Sequence, residues 1–147
     1  MPTQTFFNLP EAKRRAIIDI AIDEFANNDY NSASVSRIVT RAGIAKGSLY
    51  QYFQDKKDLF LYLLDLVTQE KMAMLQNAQP PEPAKGLFPY LRWLMRAGTD
   101  FQFSNPKLAQ VAYRALYGRL PFRDESIKRV KDASIQYFRG LVEQGIA

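Results

Sequence analysis

The chain has 147 residues, 47% of them hydrophobic, and a formal charge of +5, which is enough to bury one core or to form a module of something larger. It contains no Cys and no His, so disulfides, Cys/His zinc sites, imidazole general bases and thiolate nucleophiles are excluded. No basic segment followed by an apolar one opens the sequence, and the longest apolar run, from Leu59 to Leu64, stops at Asp65; the expectation is a soluble, cytoplasmic protein without a membrane span.

In chain order, Ile17, Ile18, Ala21, Ile22 and Phe25 recur at spacings of three and four with charged residues between them, which predicts an amphipathic helix over residues 8–27. Asn8 and Glu11 have capping-box spacing, with Pro10 in the first turn, and "NNDYN" supplies a stop. A second helix is expected over residues 34–42, with Ser34 as N-cap, Val35, Ile38 and Val39 facing inward, and Gly43 closing it. A third occupies residues 45–54, with Ala45, Leu49 and Phe53 on its inner side. Asp55 then caps a fourth that runs to about residue 78, burying Leu59, Phe60, Leu63, Leu64 and Val67. "QPPEP", residues 79–83, cannot remain helical, because each Pro lacks an N–H and clashes with the preceding turn. Three more helical patterns occupy residues 87–103, 106–118 and 122–145, the last with Ile127, Val130, Phe138 and Leu141 on one stripe. There is no period-two alternation, so the fold class is all-α. The expected division is residues 1–54 and residues 55–147.

The third helix carries the unusual chemistry. Residues 33–57 hold five Lys/Arg against Asp55 alone, a candidate phosphate-binding patch, although a solvated helix face is the commoner fate of such a run. Opposite Leu49 stand Gly47, Gln51 and Gln54, flanked by Ser48 and Tyr50. A helix-interior Gly costs about 1 kcal/mol relative to Ala, and close approach of a ligand to the backbone is one feature that offsets it. Gln reaches base edges, Lys46 and Ser48 reach phosphates or bases, and Tyr hydroxyls bond phosphate oxygens. Ser34, Ser36 and Arg37 at the start of the second helix, with Lys56 and Lys57 at the start of the fourth, flank this face as backbone contacts. Tyr52 lies near the buried side and fits a packed ring as well as a DNA contact. An ordinary helical hairpin with a polar outer face also fits these residues, so the pattern alone leaves both readings open.

The stretch "RRAIIDIAIDEFANNDYNSASVSRIVTRAGIAKGSLYQYFQDKKDLF", with "AG" at the turn, "KGSLYQYF" in the third helix and "K..LF" opening the fourth, resembles the DNA-binding domain of the TetR (tetracycline-repressor-like) family of transcriptional regulators. The resemblance implies an N-terminal helix-turn-helix domain followed by a helical regulatory domain, with no enzymatic activity and no cofactor. It implies that Lys46, Gly47, Ser48, Gln51 and Tyr52 approach bases or backbone in the major groove, that Tyr50 and Lys56 hold phosphates, and that Ser34 and Arg37 sit at the groove edge. The partners it implies are double-stranded DNA with a palindromic operator, a small-molecule effector that modulates repression, and a second copy of the chain. Two local departures stand out: Ala45 occupies a position that is often Ser in the family, and Asn28-Asp29 replaces the usual Asn-Gly. Family members continue with two more long helices that pair with a second subunit, so a chain ending at Ala147 is expected to be truncated before them or to dimerise differently.

Beyond the proline break the aromatics are dense, and the resemblance implies an effector pocket among the later helices. Trp93, Phe101, Tyr113, Tyr117 and Phe138 are the expected lining, while Arg92, Arg96, Arg114 and Arg119 either pair with an anionic effector or stay solvated. Two competing classes remain. One is a helical adaptor that binds a partner through the fourth helix or the final stripe. The other is an enzyme, for which no paired carboxylates beside a Lys and no Ser–Lys constellation stand out.

Overall fold

A computed structural model describes residues 1–82 and 86–143 and contains, in order, α1 (Gln4–Phe7), α2 (Glu11–Asn27), α3 (Val35–Ala42), α4 (Lys46–Tyr52), α5 (Lys56–Asn77), α6 (Leu87–Ser104), α7 (Pro106–Tyr117) and α8 (Arg123–Glu143). No strand occurs among the described residues, in keeping with the all-α expectation, and none of their helices is long and apolar enough to cross a membrane. Pro83, the side chains of Val130 and Leu141, and the expected helix end at residue 145 lie outside the described residues.

The inward stripes fall where the spacing places them. Ile17, Ile18, Ala21, Ile22 and Phe25 of α2, Val35, Ile38 and Val39 of α3, and Leu59, Phe60, Leu63, Leu64 and Val67 of α5 are all buried. They join Leu49 of α4, Phe101 of α6, and Val111 and Ala115 of α7 in one continuous core, each large side chain contributing roughly 1.5–3 kcal/mol by leaving water. Helix α7 packs on both α2 and α5, so the C-terminal helices rest directly on the first part of the chain.

The expected start of the first long helix is wrong. Asn8 ends the one-turn helix α1, and α2 begins at Glu11 behind Pro10 with no side-chain cap, so the capping box does not form. Pro10 cannot continue the preceding turn, and the chain bends there to bury Phe6 completely, with its ring 4.9 Å from that of Phe53. At the other end of this half, α5 stops at Asn77 and residues 79–82 are non-helical, as the proline run requires. Helix α8 is pinned back along α5 by Lys57–Glu125 at 2.6 Å and Arg129–Asp65 at 3.1 Å.

Candidate nucleic-acid interface

Helix α3 is held on α2 by a buried carboxylate. Glu24 is 3% exposed; its Oε1 accepts from Arg37 Nε at 2.9 Å, from Arg37 Nη2 at 2.5 Å and from the Ser34 backbone N–H at 2.8 Å. Burial pushes the Glu24 carboxyl upward, but the Arg37 guanidinium and the Ser34 N–H outweigh it and leave its pKa below the ordinary value. Ser34 itself caps α3, its hydroxyl accepting from the Arg37 N–H at 3.3 Å. Arg37 is thus the brace of the α2–α3 corner, and its guanidinium also donates to Ser32 O at 2.8 Å. Ser36 is exposed beside it.

Gly43 makes the turn. At φ 65° it adopts the left-handed conformation, its N–H donates to Thr40 O, and the Ile44 N–H donates to Val39 O at 3.1 Å, the paired bonds that end a helix and redirect the chain. Three residues later α4 begins behind Ala45, which offers no side-chain cap. The inner face of α4 is Leu49 and Tyr52, with Phe53 just past its end; the expected inward Ala45 is exposed, because it precedes the helix proper. Tyr52 is 6% exposed with its ring 6.0 Å from Phe6, so of its two expected places it takes the core. Lys46, Gly47, Tyr50 and Gln51 all face outward, and Ser48 is half-buried. A Cβ placed on Gly47 would meet nothing within 4 Å, so no packing within the chain requires glycine there.

Of the flanking lysines, Lys56 turns inward, against the expectation that it holds phosphate. Lys56 Nζ donates to Tyr30 O at 2.7 Å and Ala33 O at 3.0 Å and lies 4.5 Å over the Tyr30 ring; burial lowers its pKa, with Glu24 opposing. Those carbonyls belong to the loop before α3, which leaves them without helical partners, and a half-buried ammonium satisfies them. Lys57 pairs with Glu125. Asp55 caps α5 as expected, accepting from the Asp58 N–H at 2.7 Å. From the other side the N-terminal segment reaches across α4. Thr3 N–H donates to Tyr52 O at 2.9 Å and Thr3 Oγ1 to Gln51 O at 2.6 Å.

The C-terminal part of the chain holds an apolar cavity of about 210 Å³ lined by α5 (Lys71, Met72, Met74, Leu75), α6 (Leu94, Ala97, Gly98, Phe101) and α8 (Ser134, Tyr137, Phe138). Of the expected lining, Phe101 and Phe138 are there. Trp93 instead packs on Tyr90 at 5.2 Å, and Tyr113 and Tyr117 lie on the exposed side of α7, facing a separate groove with Asp29, Arg114 and Arg119. Their phase on the helix explains the miss, since Val111 and Ala115 take the inward positions. Arg114 is no effector contact either: its Nε donates to Ala26 O at 3.0 Å and its Nη1 to Asp29.

Glu24 and Lys107 are the site-positioning residues that the sequence pattern did not single out. Glu24 sits three residues after Ala21 on the inward stripe of α2, and a carboxylate in that position is itself a signal of a buried cationic partner. Lys107 Nζ meets Asp23 Oδ1 at 2.5 Å, and Asp23 Oδ2 meets Arg41 of α3 at 2.7 Å; bonds from Lys107 and then Arg41 hold the Asp23 carboxyl below its usual range.

Residues 17–63 match the family described as "Bacterial regulatory proteins, tetR family", and residues 85–147 match "Tetracyclin repressor-like, C-terminal domain". A TetR family transcriptional regulator from Chloroflexus aurantiacus J-10-FL is 55% identical, with a TM-score of 0.81 over 99% of this chain and 67% of that one. The fatty acid metabolism regulator protein of Bacillus subtilis (strain 168) is 40% identical over 60 residues, 41% of this chain and 29% of that relative. The fold, at 23% identity and a TM-score of 0.70, is also that of FadR from Bacillus subtilis in complex with stearoyl-CoA, over 90% of this chain and 70% of that one. The chain spans between 25% and 50% of the length of the curated relatives it matches.

Proposed function

We infer that this chain, which belongs to the TetR family of bacterial regulatory proteins, is a cytoplasmic, sequence-specific DNA-binding repressor without catalytic activity, acting as a homodimer on a palindromic operator and modulated by a small-molecule effector. The observation that carries this reading is the outward face of α4. Lys46, Gly47, Tyr50 and Gln51 stand exposed on a short helix whose inner face is fully packed, and no hydrogen bond or ion pair ties their side chains to another element among the described residues. Gln51 is the base reader, Lys46, Ser48 and Tyr50 bond phosphate or base edges, Gly47 admits the DNA backbone, and Ser36 meets phosphate at the groove edge. Ser34, Arg37, Tyr52 and Lys56 act from behind, holding α3 and α4 in place. A two-fold operator needs two such helices about one DNA turn apart, ~34 Å.

Residues 1–54 form the reading unit and residues 55–147 the sensing unit. The effector occupies the cavity between α5, α6 and α8, and the chemistry of the lining selects an apolar body with an acidic end at Lys71, the one cation on the described lining. At about 210 Å³ the cavity is smaller than the ~300–1,000 Å³ typical of drug-sized ligands, so a larger effector displaces α8 outward.

The test is fluorescence anisotropy with the DNA upstream of the chain's own gene and a scrambled duplex, at two salt concentrations. Preference for the native duplex and a steep fall with salt are expected. Gln51→Ala narrows the preference, whereas Lys46→Ala weakens both duplexes alike and flattens the salt slope by about one. Equal, salt-insensitive binding of both duplexes overturns the assignment.

A further inference from the structure

We propose that Thr3 is a positioning residue for DNA reading: through its hydroxyl and its backbone N–H it clamps the last turn of α4 and so fixes the direction in which Gln51 points. The inference rests on the reading that α4 enters the major groove.

Helix α4 has seven residues, and helices this short are marginal in water without outside support. Its own termini supply little. Ala45 has no side-chain acceptor for the first N–H groups, and past the end Phe53 is already extended and returns only its N–H, to Leu49 O at 2.9 Å. Two carbonyls of the last turn, which a helix cannot satisfy internally, are met by one residue from the far end of the sequence. Thr3 Oγ1 donates to Gln51 O at 2.6 Å and Thr3 N–H to Tyr52 O at 2.9 Å. The first of these acceptors belongs to the residue that reads the base.

Thr3 is exposed, and its hold depends on the anchoring of the helix it opens. Its own carbonyl accepts the Phe6 N–H at 3.0 Å, starting α1, and the Phe6 ring is completely buried between Phe53 at 4.9 Å, Tyr62 at 5.8 Å and Tyr52 at 6.0 Å. The N-terminal segment is therefore a strap: Phe6 anchors it in the core, and Thr3 is the contact it presents to α4. Loss of the Thr3 hydroxyl leaves the anchor and the N–H bond in place and frees the Gln51 peptide to tilt. An interaction that only held the fold would lower binding to all DNA together. One that aims Gln51 lowers discrimination first.

The experiment uses the full chain and the duplex that the wild-type protein enriches most from a random-sequence library, beside a scrambled duplex of the same composition. Thr3→Val is expected to cut the preference for the selected duplex about fivefold, the worth of one hydrogen bond, with its melting temperature close to wild type. Thr3→Ser restores the preference, and Thr5→Val, the same change at an exposed neighbour that makes no bond to α4, leaves it intact. If Thr3→Val keeps the full preference, or weakens both duplexes by one factor, the positioning role is overturned while the DNA-reading assignment stands. If the wild type enriches no sequence at all, the assignment itself fails.

Discussion

Gly47 is where folding and function pull in opposite directions. Its position in a helix interior costs about 1 kcal/mol relative to Ala, and the space around it is open, so Gly47→Ala stabilises the chain by up to that amount and raises the melting temperature by a few degrees. If Gly47 admits the DNA backbone as proposed, the added methyl stands in its way and affinity for the operator falls at least tenfold. Calorimetry and anisotropy on the same variant report the two effects separately; a methyl that leaves affinity untouched removes Gly47 from the interface. Glu24 works in the opposite sense, wholly on the side of stability. Its folded pKa lies below the usual 4.5, so its contribution is fully present above that value and is lost as pH falls through the folded pKa. Glu24→Gln lowers stability at pH 7 by about 2 kcal/mol, the scale of a charge-assisted hydrogen bond. The gap between variant and wild type, read from urea midpoints at successive pH values, narrows as the solution is acidified below pH 4.5.

At the scale of elements, the two ends of α4 and α5 divide the lysines by task. Lys46 points away from the chain, while Lys56 supports the carbonyls of Tyr30 and Ala33 from within. Lys56→Met leaves both acceptors unpaired and costs about 2 kcal/mol, seen as a lower urea midpoint, whereas the salt dependence of DNA binding keeps its slope. A slope reduced by about one would instead make Lys56 a phosphate contact. The same contrast explains what was legible beforehand. Ser34, Gly43 and Asp55 were readable because a cap or a left-handed turn is decided within three or four residues. Lys56, Glu24 and Thr3 were not, because their partners lie between 10 and 49 residues away in sequence, and nothing local distinguishes a bonded side chain from a solvated one. On α4 the spacing places Leu49 and Phe53 correctly on the buried side, with Tyr52 beside them; Ala45 alone departs, because it precedes the first turn and does not share the helix's phase.

At the scale of the molecule, α7 joins the C-terminal helices to the α2–α3 corner. Leu108, Val111 and Ala115 share the core with α2, and at the rim Arg114 grips Ala26 O and Asp29 while Lys107 reaches Arg41 of α3 through Asp23. The C-terminal helices thereby hold both ends of the α2–α3 corner. Arg114→Ala is expected to speed amide exchange over residues 26–33 and, through the loosened corner, to lower DNA affinity several-fold. Unchanged exchange in that loop would show that the corner is held without α7. The resemblance implies a helical C-terminal half with a pocket, but that α7 contributes nothing to the lining of the cavity between α5, α6 and α8 is beyond its reach, because Tyr113 and Tyr117 look no less core-like in sequence than Phe101.

The outward face of α4 carries one more implication. Lys46, Gly47, Tyr50 and Gln51 hold up no other part of the described chain, while everything that keeps the helix in place comes from residues behind or before it. Such a surface can be rewritten without penalty to the scaffold. If α4 reads DNA as proposed, exchanging a few of these outward side chains gives the chain a new target while the core and the cavity behind the helix stay unchanged.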